Sequence, residues 1–199
     1  MLKLPPFGEG QRIGLFGGSF NPAHRGHRMV ALYALKRLKL DWVWWLVSPQ
    51  NPLKDPRETD DYGKRLRQTR LMARHPRFVV TDLERQIASR NTAQTLAALK
   101  VPFKRAHFVW IMGADSLANL HRWHNWRDIA EDVAFAVLAR PGYSIRALGG
   151  NAAEALAFAR VSGNDAAAVV TRKPPAWVFV TMPLRKESST AIRKRRRKT

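Results

Sequence analysis

GLFGGSFNPAHRGH, residues 14–27, decides how this chain reads, because a strand end, a glycine turn and two histidines at the mouth of a helix follow in order. Residues 12–16 are a short, largely apolar run. Gly17-Gly18 then remove the Cβ atoms that would hold a bulky anion away from the backbone. Pro22 fixes one φ angle, and from His27 onward Val30, Leu32, Ala34, Leu35 and Leu38 supply an apolar face at roughly helical spacing. The amino end of such a helix presents unpaired N–H groups and a positive dipole end. His24 and His27, three residues apart, share its face. The stretch predicts a phosphate site flanked by two imidazoles. A Gly-Gly pair alone is an ordinary turn, and a lone histidine is an ordinary surface or core residue. The joint occurrence carries the reading.

His-x-x-His can also be half of a metal site. No cysteine and no neighbouring carboxylate accompany it here, and neither His-Glu-x-x-His nor a Cys/His framework occurs, so no protein-bound metal is expected.

Outward from this stretch, apolar runs alternate in period. Strands are predicted near 12–16, 42–47, 78–81, 107–112, 133–138 and 176–181, and helices near 27–39, 60–74, 91–100, 116–131 and 150–160. Such βαβ alternation favours a Rossmann-like, doubly wound parallel sheet of the α/β class, with ligands bound beyond the carboxyl ends of the strands. The Ala-rich stretch 152–160 fits a helix, while Gly149-Gly150 and residues 162–164 interrupt it. A chain of 199 residues with 45% hydrophobic content and no internal repeat or long linker predicts a single domain over 1–199, with 1–10 as an extension and 194–199 as a basic tail. No apolar run approaches a membrane span, no leader pattern opens the chain, and zero cysteines exclude a disulfide framework, so a soluble, cytoplasmic protein is expected.

Three further blocks stand out. Residues 48–54, SPQNPLK, follow an apolar strand and read either as a second substrate loop or as a proline-rich turn. In and just before 111–129, IMGADSLANLHRWHNWRDI, three tryptophans and two histidines lie near Asp115, more than packing alone requires, and a flat aromatic ligand fits them. Ser188-Ser189-Thr190-Ala191-Ile192-Arg193 places hydroxyls at a helix start, where they serve as caps. With Arg193 one turn on, they also offer a guanidinium fork and N–H groups to phosphate oxygens.

GGSFNPAHRGH resembles the His-x-Gly-His signature of the nucleotidyltransferase superfamily, and in its full form the signature of bacterial nicotinate-nucleotide adenylyltransferases. The Gly-Ala-Asp segment with its spaced tryptophans and the SSTAIR block are similar to the same family. The resemblance implies a sheet of the nucleotidyltransferase type. It also implies transfer of AMP from ATP, carried with Mg²⁺, to nicotinate mononucleotide, a step of NAD synthesis. It assigns His24, His27 and Arg193 to catalysis. Gly17, Gly18, Ser19, Phe20, Gly113, Asp115, Arg140, Ser189 and Thr190 are assigned to ATP and its phosphates, and Lys54, Thr92, Trp123 and His124 to the mononucleotide. Asn91 and Gln94 depart from it, standing where Tyr and Asp are usual.

Nicotinamide-mononucleotide and pantetheine-phosphate adenylyltransferases are the rival enzymes; the first would share nearly every phosphate contact, while the Gly-Ala-Asp/tryptophan block argues against the second. A net charge of +20, with six consecutive basic residues from Arg193 to Lys198 and a basic helix carrying Lys64, Arg65, Arg67, Arg70 and Arg74, admits a nucleic-acid-binding protein as the reading from another class. No helix-turn-helix, zinc finger or aromatic RNA-binding motif supports sequence-specific binding. The same charge steers anionic substrates.

Overall fold

The computed structural model describes residue 5 and residues 7–49, 59–89, 91–100, 105–183 and 187–196. Seven strands, β1 (Arg12–Gly18), β2 (Trp42–Val47), β3 (Phe78–Thr81), β4 (His107–Gly113), β5 (Ala134–Leu138), β6 (Arg160–Val161) and β7 (Trp177–Val180), form one sheet in the order β3-β2-β1-β4-β5-β7-β6. Every pairing is parallel. The order runs outward from β1 in both directions, so the topological switch lies between β1 and β4, where open α/β sheets form their ligand crevice.

The strands are almost continuously apolar because both faces are covered. In β2, Trp44 and Trp45 are fully buried and point to opposite faces. Trp45 joins Phe16, Val109 and Ala136 beneath α1 (Arg25–Arg37), which contributes Val30, Ala31, Ala34 and Leu35. Trp44 joins Leu15, Trp110 and Phe135 on the other face. That face is covered by α3 (Leu83–Gln86), α4 (Thr92–Lys100), α5 (Ala114–Leu117), α6 (Trp126–Asp132), α7 (Ser144–Leu148) and α8 (Asn151–Ala155). Helix α2 (Tyr62–Met72) packs against β2 and β3 on the α1 side, and α9 (Ser189–Arg196) closes the described chain.

The six predicted strands are present. Helix α1 begins two residues earlier than periodicity predicts, because His24 rather than a later residue is its cap. The helix predicted over 116–131 is interrupted. Asn119 turns its side-chain amide onto the Asp115 carbonyl at 2.9 Å, Asn125 adopts φ 51°, and only a 3-10 turn, Leu120–Arg122, separates α5 from that break. The helix predicted over 150–160 ends at Ala155, and Arg160–Val161 pairs with β7 as a short edge strand. Helices α3 and α7 and the 3-10 segment Gly163–Thr171 fall where no helix was predicted, whereas α9 begins where the hydroxyls of 188–190 suggest a helix start. Helix α9 also absorbs the first residues of the expected basic tail, through Arg196.

Candidate active site

The loop from Ser19 to His24 leaves the carboxyl end of β1 at the switch point. His24 is the N-cap of α1: its Nδ1 accepts from the Gly26 N–H at 3.1 Å, while the Nδ1 of His27 accepts from the His24 N–H at 3.2 Å. This is a capping box built from two histidines rather than from a hydroxyl and a carboxylate. Because each Nδ1 accepts, each neutral imidazole carries its proton on Nε2. The rings stack with centroids 3.8 Å apart. Burial pushes the His24 pKa down to about 4; the Arg140 guanidinium adds to the depression and Glu187 opposes it. His24 is therefore neutral at pH 7 in the ligand-free protein.

Gly26, between the two histidines, is required sterically. A Cβ there would lie 2.9 Å from Cε1 and Nδ1 of His24. Gly17 has a similar reason, since a Cβ would fall 2.7 Å from the Trp110 indole. At Gly18 it would meet the Phe20 ring at 3.2 Å. Packing against these rings accounts for both glycines, alongside any approach of a ligand to the main chain. Phe20, at φ 43°, is buried, with its ring among Phe16, Trp45 and His27.

The two ends of the chain meet here. Arg193 Nη1 donates to the Asn21 carbonyl at 2.8 Å and Ser189 Oγ to the Pro22 carbonyl at 3.0 Å. Ser188 caps α9 by accepting from the Ala191 N–H at 3.2 Å, and Thr190 is exposed. The first and last of these sequence motifs are thus in direct contact.

At the end of β4, Asp115 Oδ1 lies 3.4 Å from Arg140 Nε, which follows β5. Gly113 makes the pair possible, because a Cβ there would overlap the Asp115 carboxylate and crowd Arg140 at 3.1 Å. Thr92 opens α4 and Trp123 follows the 3-10 turn, both half-buried, and His124 is exposed. Trp123 packs against the hydrophobic cluster on the sheet face opposite to α1, the face that α4 also covers. Lys54 lies outside the described residues. Asn91, one of the two departures, caps α4: its Oδ1 accepts from the Gln94 N–H at 3.0 Å.

Two residues beyond the sequence reading organise these loops. Arg65, part of the basic helix that admits nucleic-acid binding in the sequence, is only 1% exposed. Its guanidinium donates to the carbonyls of Asp60 at 3.0 Å, Ser19 at 2.7 Å, Ser48 at 2.8 Å and Pro49 at 2.6 Å. It is therefore unavailable to a phosphate backbone. Its position one turn before buried Thr69 was the available signal. Glu84 is also buried, its Oε1 accepting from Thr95 Oγ1 at 3.1 Å, while Thr95 meets Ser89 Oγ at 2.8 Å. Burial pushes the Glu84 pKa up to about 7, against hydrogen bonds from Thr95 and Ser48. Among the described residues no group of three or more His, Cys, Asp or Glu side chains could hold a metal ion.

A family model described as cytidylyltransferase-like matches residues 15–195. A probable nicotinate-nucleotide adenylyltransferase of Cereibacter sphaeroides is 51% identical over 181 residues, covering 91% of this chain and 96% of the relative. One from Brucella suis is 46% identical over 182 residues, covering 92% and 94%. Among solved structures, the Plasmodium falciparum nicotinic acid mononucleotide adenylyltransferase complexed with NaAD superimposes with a TM-score of 0.70 at 18% identity, over 92% of this chain and 83% of that one, a likeness in fold. With its motifs gathered at one crevice and its relatives matched along nearly their whole length, the chain belongs to the nicotinate-nucleotide adenylyltransferase family of the cytidylyltransferase-like nucleotidyltransferases.

Proposed function

We propose that this protein transfers AMP from ATP to nicotinate mononucleotide, giving nicotinate adenine dinucleotide and pyrophosphate in NAD synthesis. The observation that carries the reading is the docking of Ser189 and Arg193 on the loop that leads into the His24–His27 capping box, which brings donors from both ends of the chain together. Relatives at 46–51% identity bear the name of this activity.

In the reaction a phosphate oxygen of the mononucleotide attacks the α-phosphorus of ATP, and the bond from that phosphorus to the bridging oxygen of the β-phosphate breaks. No protein nucleophile is needed. The protein must align two anions and neutralise charge moving toward the leaving group. His24 and His27 donate from Nε2 to phosphate oxygens, with Nδ1 of each held by backbone N–H groups so that the rings cannot turn. Ser189, Thr190 and Arg193 receive the β- and γ-phosphates, Arg193 and Ser189 exchanging their loop carbonyls for phosphate oxygens. Gly17, Gly18, Ser19 and Phe20 offer backbone to the nucleotide, and Asp115 with Arg140 and Gly113 borders its sugar or base.

The nucleotide enters as its Mg²⁺ complex, the ion travelling on the triphosphate. On the acceptor side, Trp123 stacks the pyridine ring, Thr92 and the backbone near His124 bind its carboxylate, and Lys54 meets the phosphate. The whole of 1–199 acts as one domain. No helix among the described residues is long and apolar enough to cross a membrane, and we assign the enzyme to the cytoplasm. Incubation with ATP, Mg²⁺ and nicotinate mononucleotide should yield nicotinate adenine dinucleotide and pyrophosphate in equal amounts. Pyrophosphate or free phosphate without the dinucleotide would refute the assignment.

A further inference from the structure

We infer that Arg65 is a positioning residue that fixes the separation between the nucleotide loop and the acceptor loop, a role that rests on the proposed transfer. Its guanidinium occupies the space between the ends of adjacent strands β1 and β2, whose last residues, Gly18 and Val47, are register partners. From there it reaches Ser19, the first residue beyond β1, and Ser48 and Pro49, the first two beyond β2. Its Nε returns to Asp60, where α2 is approached, and the Asp60 N–H in turn donates to Asn21 Oδ1 at 3.3 Å. One rigid fork thus joins the backbone of both loops and of the segment that closes the second.

The residue type follows from the geometry. Nη1 serves a carbonyl of each loop at once, Ser19 at 2.7 Å and Ser48 at 2.8 Å. A planar guanidinium presents five donors in fixed directions, whereas a lysine ammonium is a flexible point charge. Cation–π contact is secondary, with the guanidinium carbon 5.3 Å from the Tyr62 ring centroid. None of the four hydrogen bonds goes to a carboxylate, so the group is placed to hold main chain and not to balance charge.

Each loop binds its own substrate, yet in-line transfer requires the attacking oxygen within about 3–3.5 Å of phosphorus, and a displacement of about 1 Å can cost about 100-fold in rate. Loss of the fork should therefore lower kcat while leaving each substrate's KM nearly unchanged.

The test compares wild type with Arg65→Lys and Arg65→Met by steady-state kinetics and by hydrogen–deuterium exchange. In both variants kcat is expected to fall about 100-fold, with KM for ATP and for nicotinate mononucleotide within about threefold of wild type. Failure of lysine to rescue would show that the fork, not the charge, matters. Peptides spanning Gly17–His24 and Leu46–Asp61 should exchange faster together, with β4 unchanged. A folded Arg65→Lys protein with kcat within threefold of wild type, or faster exchange confined to α2 or to one loop, would overturn the inference. If wild type does not use nicotinate mononucleotide, the functional reading fails, and the exchange experiment still decides the role of Arg65.

Discussion

Arg193 and Asn21 stand 172 positions apart in sequence and share a hydrogen bond of 2.8 Å, from the guanidinium Nη1 to the backbone carbonyl. That contact seats α9 on the loop of the two histidines. Replacing Arg193 by Ala should lower kcat/KM for ATP by about 100-fold, the scale expected when one preorganised donor to developing charge is lost. Arg193→Lys should recover less than a tenth of the deficit, because a point charge cannot bridge oxygens as a fork does. Steady-state kinetics with ATP varied checks both.

The histidine capping box separates two roles for neighbouring residues. His27→Ala should lower kcat by two or more orders of magnitude, about 3 kcal/mol of transition-state stabilisation. Single-turnover rates at saturating substrates measure it, and a near-wild-type rate would remove His27 from the mechanism.

With a pKa near 4, His24 should remain neutral down to about pH 5 in the ligand-free enzyme, its proton on Nε2. Nitrogen-detected NMR of the imidazoles reads both tautomer and titration. A His24 signal titrating near 6.5 would contradict the structure.

Gly26→Ala distinguishes activity from stability. Alanine is the better helix former by about 0.8–1 kcal/mol, and loss of the cap hydrogen bond from Gly26 to the displaced ring, about 1 kcal/mol, offsets that gain, so the melting temperature should stay near that of wild type. The same methyl group, 2.9 Å from the His24 ring, must displace the imidazole, and kcat should fall at least tenfold. Calorimetry and turnover on one preparation test the divergence.

Glu84 predicts a pH effect on stability. Its carboxyl titrates near 7 in the folded protein, against about 4.5 when unfolded, so between those values the folded state holds a proton that the unfolded state has released. Stability should fall as pH rises from about 4.5 to 7 and level off above, by about 3 kcal/mol in total for this group. The stability of wild type relative to Glu84→Gln should decline over that interval in urea titrations, and a difference independent of pH would contradict the assignment.

Much of the fold was legible because a doubly wound sheet writes itself as apolar runs separated by amphipathic helices, and β1 through β5 and β7 fell where those runs stood. Irregular segments were not. Asn119 and Asn125 break a helix through side-chain and backbone preferences that an apolar repeat does not register. Edge strand β6 is two residues long, too short for any period. At the site, the histidines and the SSTAIR block were visible as motifs, and the structure joins them through Asn21 and Pro22. Arg65 and Glu84 stayed hidden because their type says surface. Only the carbonyls gathered around one and the hydroxyls around the other, contributed by distant segments, explain their burial.

The acceptor is the central claim, and one side-by-side assay addresses it directly. Pyrophosphate release would be followed with ATP and Mg²⁺ and, at equal concentrations in parallel, nicotinate mononucleotide, nicotinamide mononucleotide or 4′-phosphopantetheine. The account predicts fast release with the nicotinate form and at least tenfold slower release with the other two; equal or faster release with either alternative, or none with any of the three, would contradict it.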